Sequence, residues 1–241
     1  DLSIGSLIGF SSMSLTLLTV ETNLTMPVAS LITLIMVLII GYYNGITVVK
    51  SGLPSFIITL GSLFMIRGFT IAISKIITGR TQIGGIEESK GFNIMSSVFS
   101  NHLTIAGTNF PISIFWWMLF GVLGYFLLKH TQFGNWIFAT GASQESAKLM
   151  GIPVQKVKIS LFMLTAFCSW FIAVTQVTTF GGADVLRGEQ KEFIAIIAVV
   201  IGGTLLTGGY GSIIGAMIGA LIFGIVKQGI IFAGVDADWF Q

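Results

Sequence analysis

Charge is scarce in this sequence. Only 9% of its 241 residues are Asp, Glu, Lys or Arg, against about 25% in soluble proteins. A soluble helix needs a charged face toward water, so this scarcity excludes an ordinary soluble domain. There is one cysteine, Cys168, which rules out a disulfide within the chain and a cysteine-based metal site. His102 and His130 are far apart in sequence, which speaks against a histidine-pair metal site. No cofactor or metal is expected. The dipeptide Gly-Lys never occurs, so the nucleotide-binding pattern G-x-x-x-x-G-K-[ST] is missing and this chain does not cradle phosphate in that way. A net charge of +2 gives no argument for nucleic acid. No initiator Met and no signal peptide opens the sequence.

What is there is hydrocarbon. Apolar residues make up 54% of the chain and mean hydropathy is +0.92. A helix needs about 20 apolar residues to cross a bilayer, and seven segments come near that length. They run over 2–20, 26–49, 54–74, 111–128, 159–180, 193–206 and 210–235. The first is rich in Ser and Thr, the third carries Arg67, the sixth is short, and the last carries Lys227. Backbone in hydrocarbon must satisfy its own hydrogen bonds, so these segments are expected to be helices. The strict alternation of a membrane barrel is missing. The expected fold is an all-α, polytopic membrane bundle, a single domain over 1–241, with the lipid bilayer as solvent.

Alternating segments place Lys50, Lys129, Lys148, Lys156 and Lys158 on one side with Glu145 as the one acid. The other side receives Lys75, Arg80, Lys90, Arg187 and Lys191, diluted by Glu21, Glu87, Glu88, Asp184, Glu189, Glu192, Asp236 and Asp238. Basic residues alone tie, but the undiluted ones hug the membrane ends of the first side, which is therefore read as cytoplasmic. The long, polar, Gly-rich loop over 75–110 then lies outside, as a surface receiving a partner or substrate.

The cytoplasmic loop over 129–158 contains “TGASQESAKLMGIP” at 140–153. Ser143 is a good N-cap. Glu145 in the first turn and Lys148 near the last complement the helix dipole. Gly151 suits a left-handed C-cap and Pro153 stops continuation. The predicted helix over 144–150 is too short to be stable alone. Ala147, Leu149 and Met150 supply a small apolar face. That face docks either on the chain's own membrane domain or in a groove on a cytoplasmic partner.

Four stretches carry a resemblance: “DLSIGS” at 1–6, “FIITLGSLFMIRGFT” at 56–70, “FGNWIFATGASQESAKLMGIPVQKVK” at 133–158 and “FIAIIAVVIGGTLLTGGYGSIIGAMIGALIFG” at 193–224. In that order they resemble the membrane permease subunits of monosaccharide ABC importers, the ribose-type permeases of the bacterial inner membrane. The likeness covers nearly the whole chain. It implies a second permease copy, a cytoplasmic ABC ATPase and an extracytoplasmic sugar-binding protein. It also implies that Ser143, Glu145, Ala147, Lys148, Leu149, Met150 and Gly151 form the coupling segment to the ATPase. Chains of this family begin before “DLSIGS” and continue after “DADWFQ”, so the sequence is expected to be a piece lacking N- and C-terminal helices.

Two further features concern the membrane interior. Arg67 lies about 20 Å into its segment at 1.5 Å per residue, near mid-membrane, where its burial must be met by protein or water. It either ties helices together or lines a pathway. Gly202, Gly203, Gly208, Gly209, Gly211, Gly215 and Gly219 form a dense set, with Gly211, Gly215 and Gly219 spaced by four on one expected face. Such a face admits close helix approach, within one subunit or at a dimer axis beside the pathway. “TLLTGGYGS” interrupts the run, so the segments on either side are expected to be half-helices meeting at a broken or re-entrant region.

The leading function is ATP-driven import of a small neutral sugar, with hydrolysis on a partner subunit. “FAGVDADWFQ” leans toward ribose or fructose, and an autoinducer or nucleoside stays open. A secondary transporter requires ionisable residues at midplane, where Arg67 alone is close. A membrane enzyme requires a convergent acid, base or metal set that no segment holds.

Overall fold

The computed structural model describes residues 1–105 and 107–234. In chain order the helices are α1 (Ile4–Val20), α2 (Met26–Ser51), α3 (Ser55–Thr78), α4 (Phe92–Phe99), α5 (Ser113–His130), α6 (Gln132–Ala142), α7 (Gln144–Leu149), α8 (Val154–Phe180), α9 (Lys191–Ile201) and α10 (Ile213–Phe232). Four short strands accompany them: β1 (Gln82–Gly84), β2 (His102–Ile105), β3 (Thr108–Pro111) and β4 (Gly182–Asp184). β1 pairs antiparallel with β4, and β2 with β3. All seven expected segments are helical, and α2, α3, α5, α8 and α10 are long and apolar enough to cross a membrane. The protein is an all-α, multi-pass membrane protein. The expected limit at Val235 and the charges Asp236 and Asp238 lie outside the described residues.

The chain packs as two compact units, one of residues 1–117 with 158–192, the other of residues 118–157 with those from 193 onward. The first is organised around α1. With 17 residues this helix is only about 25 Å long, and 13 of those residues are buried. Several of its buried hydroxyls bond within the helix: Ser11 Oγ donates to the Leu7 carbonyl and Thr19 Oγ1 to that of Leu15. Such back-bonding satisfies the polar group locally, so a Ser/Thr-rich segment becomes the interior helix while its apolar neighbours face outward.

α1 and α3 run parallel. The Leu2 amide donates to Thr59 Oγ1 at one end, and Ser74 Oγ lies 3.6 Å from Met13 Sδ at the other. α2 runs against both, turned at Gly52 (φ +67°) before Pro54. α8 is antiparallel to α2. A Cβ at Gly45 would meet Ile159 and one at Gly41 would meet Ala166, and Trp170 Nε1 donates to the Ser30 carbonyl at 3.0 Å. Met13, Leu15, Val174, Val177 and Val185 are among the buried side chains between them.

The loop over 75–110 carries more structure than composition suggests. α3 continues to Thr78, and the loop includes α4, tied to the start of α2 by the Met26 amide donating to the Lys90 carbonyl. In the second unit, a Cβ at Gly121 would strike Met217 and one at Gly124 would press on Ile213, so α5 and α10 pack closely and antiparallel. The expected loop over 129–158 is largely helical too. Thr131 caps α6 by accepting from the Gly134 amide, and α8 begins at Val154, so Lys156 and Lys158 belong to its first turns.

Candidate functional site

The short helix expected over 144–150 forms as α7, one residue shorter. Ser143 accepts from the Ser146 amide at 3.2 Å, and Gly151 adopts φ +78°. Glu145 lies in the first turn and Lys148 in the last. The apolar face is split, which corrects the single surface of Ala147, Leu149 and Met150. Ala147 is fully buried, while Leu149 and Met150 are 89% and 67% exposed. At the end of the helix the Ile152 amide donates to the Ala147 carbonyl. Two large apolar residues remain outward on a capped two-turn helix.

The glycine region divides. Ser212 Oγ accepts from the Gly215 amide, so α10 begins at Ile213 and Gly211 lies before it. This corrects the expected three-glycine face: Gly215 and Gly219 are helical, Gly211 is not. A Cβ at Gly215 would collide with the Gly202 carbonyl, and one at Gly219 with that of Ala198. These glycines therefore bring α9 and α10 into backbone contact within one chain. α9, with 11 residues, spans about 16 Å and is a half-helix. α10, with 20 residues, spans about 30 Å and crosses in full, so the expectation of two half-helices holds for α9 alone.

Between α9 and α10 the backbone satisfies part of its own bonding. The Thr204 amide donates to the Val199 carbonyl and the Leu205 amide to that of Tyr210. Gly203, Gly208 and Gly209 take φ of +84°, +88° and +77°, a region that L-residues with a Cβ rarely occupy. The break rests directly on the end of α6, just ahead of α7. A Cβ at Gly208 would press on the Gly141 carbonyl, and one at Gly209 on Ala142, the two residues before the Ser143 cap. The structure thus brings together two features that the sequence presents separately.

Arg67 has a protein partner. Its Nη1 lies 2.9 Å from Glu189 Oε1, with the side chains 20% and 48% exposed. Twelve residues separate Arg67 from the start of α3 and eleven from its end, so the pair sits near the helix midpoint. Glu189 belongs to the segment between β4 and α9, which therefore dips into the bundle. Glycines allow it. A Cβ at Gly9 would meet the Val185 carbonyl oxygen, and one at Gly5 would meet the Gly188 carbonyl and the Glu192 carboxylate. Arg187 donates to the Gly182 carbonyl and stacks on Phe180 at 5.1 Å. Glu192 is 4% exposed and its Oε2 has no hydrogen-bond partner among the described residues.

Sequence reasoning missed a second polar knot at the start of α1. Asp1 Oδ1 accepts from the Ser3 amide and hydroxyl, and Asp1 Oδ2 from Thr165 Oγ1 at 3.0 Å. Asn44 Nδ2 donates to Ser3 Oγ at 3.0 Å. The one available signal was Asn44, an amide inside an otherwise apolar segment. Glu189 escaped for a similar reason: a lone arginine in a span demands a carboxylate, but its partner lies 122 residues away.

The sequence matches the family described as the permease component of the branched-chain amino acid transport system over residues 1–241. The chain belongs to this permease family. It is 34% identical over 238 residues to the autoinducer 2 import system permease protein of Photorhabdus laumondii, covering 99% of this chain and 69% of that relative. It is 29% identical to the ribose import permease protein of Escherichia coli K12, covering 98% and 71%. A further autoinducer 2 permease, from Salmonella paratyphi B, is 30% identical, with 98% and 68% covered. No solved structure matches the chain. The chain is thus a multi-pass inner-membrane permease that resembles the ribose-type permeases of ABC importers, as its quoted motifs led one to expect.

Proposed function

We propose that this permease is the transmembrane subunit of an ATP-driven importer for a small neutral sugar, ribose- or fructose-like. In this reading it works as two copies, takes solute from an extracytoplasmic binding protein, and is driven by a separate cytoplasmic ATPase. Residues Ser143 to Gly151 are the coupling segment.

The observation that carries the reading is the outward pair Leu149 and Met150 on α7. A helix this short does not persist alone in water. It is held here by the Ser143 cap and the buried Ala147, leaving two large apolar side chains without cover at the basic side of the membrane. An amphipathic helix laid in a groove is a standard recognition mode. Hydrolysis falls to the partner because no Gly-Lys phosphate loop exists in this sequence. The names of the relatives, for ribose and autoinducer 2, support a small hydroxylated solute.

The test is copurification. The full-length permease, co-expressed with its ATPase, is expected to bring the ATPase through detergent extraction. Leu149→Asp with Met150→Asp is expected to lose it while the permease stays inserted and monodisperse. Retention of the ATPase by the double variant overturns the assignment of this segment.

A further inference from the structure

Glu189, Gln190 and Lys191 are three consecutive exposed polar residues beside Arg67, near the midpoint of a 24-residue spanning helix. Irregular backbone at membrane depth is tolerated where protein buries it or where it lines a water-filled cavity. Charged groups there are costly against acyl chains. On the same helix and at the same depth, Met65 is 76% exposed, which marks an apolar face pointing elsewhere. The polar face therefore meets something that is not lipid.

Its charge content narrows the choice. Arg67 and Lys191 stand beside Glu189 and Gln190, so the patch presents donors and acceptors side by side. Vicinal hydroxyls, which both donate and accept, engage both kinds of group. Glu192, the next carboxylate along the chain, is buried against Gly5 of α1, and its Oε2 has no hydrogen-bond partner among the described residues. Gln190, between the two carboxylates, takes φ +61°, a conformation that is strained for a non-glycine residue and that persists where the surroundings impose it.

We infer that Arg67, Glu189, Gln190 and Lys191 form a mid-membrane contact site for an uncharged, polyhydroxylated solute in transit. This rests on the import reading above, and it assigns to that reading the residues that touch the cargo.

The experiment uses the full-length permease assembled with its partners in membranes, in a Cys168→Ser background. Gln190→Cys and Met65→Cys are each exposed to a charged, membrane-impermeant methanethiosulfonate. The Gln190→Cys thiol is expected to react at least tenfold faster than the Met65→Cys thiol, and to be slowed severalfold while D-ribose is delivered but not while L-leucine is. Separately, Glu189→Gln is expected to raise the KM for labelled ribose about tenfold with Vmax largely kept, and Glu189→Asp to recover part of that loss. Equal reactivity at the two positions overturns the site, as does ribose-insensitive labelling. A disulfide between two Gln190→Cys copies makes the face a subunit contact and overturns it too. Failure of the unsubstituted protein to import with ATP sinks the import reading instead, and is read independently of thiol accessibility.

Discussion

The two ends of α9 are built from opposite materials. At its start lie Arg187, Glu189, Lys191 and Glu192, with Arg67 opposite, and the segment is fixed by an ion pair and a buried carboxylate. At its end lie Gly202 and Gly203, followed by Gly208 and Gly209, and that segment is fixed by backbone lying on backbone. A charge-fixed end depends on keeping its balance, so removing one partner damages it more than removing both. A backbone-fixed end tolerates loss of any polar group nearby but no added side chain.

The largest effect belongs to the glycine end. Gly215→Leu places a side chain where the Gly202 carbonyl already lies, and overpacking costs about 1–3 kcal/mol or more. The variant is expected to lose its monodisperse peak on size exclusion in detergent, while Leu at the exposed Ala220 keeps it. Equal behaviour at the two positions removes the backbone-contact explanation.

Next comes the charged end. Glu189→Leu strands the better-covered guanidinium, and an unpaired Arg at mid-helix costs about 2.5–3.5 kcal/mol on insertion scales. Arg67→Leu leaves the half-exposed carboxylate and is expected to cost less. The double variant is expected to recover part of the Glu189→Leu loss in a thermal-unfolding cycle. Strict additivity of the two single variants contradicts a direct pair.

Smaller still is the cap of α7. Ser143→Ala is expected to cost about 1 kcal/mol, read as faster hydrogen exchange at the Ser146 amide. Smallest in stability is Leu149→Asp, expected within about 0.5 kcal/mol because the site is open to solvent, even as the ATPase is lost.

Much of the fold was legible in the sequence. Hydropathy alone marks the seven helical segments, and the capping residues of 143–151 mark α7. What escaped has physical causes. α6 and α4 are shorter than a bilayer and mix Gly, Asn and Ser with apolar residues, so they read as loop. Gly211 shares the spacing of Gly215 and Gly219, but Ser212 captures the helix start and leaves it outside. Ala147 shares a face with Met150 by periodicity, but the fold buries the first and leaves the second exposed. Of the membrane charges, Arg67 announced that it needed a partner. The identity of that partner, Glu189, depends on a segment dipping beside α1, which no local pattern encodes.

The most direct test of the account is what energises uptake. With the full-length permease, its ATPase and its binding protein in proteoliposomes, accumulation of labelled ribose is expected to require ATP on the ATPase side and to survive ionophores that collapse proton and sodium gradients. Accumulation that persists without ATP and vanishes with the ionophores would contradict it.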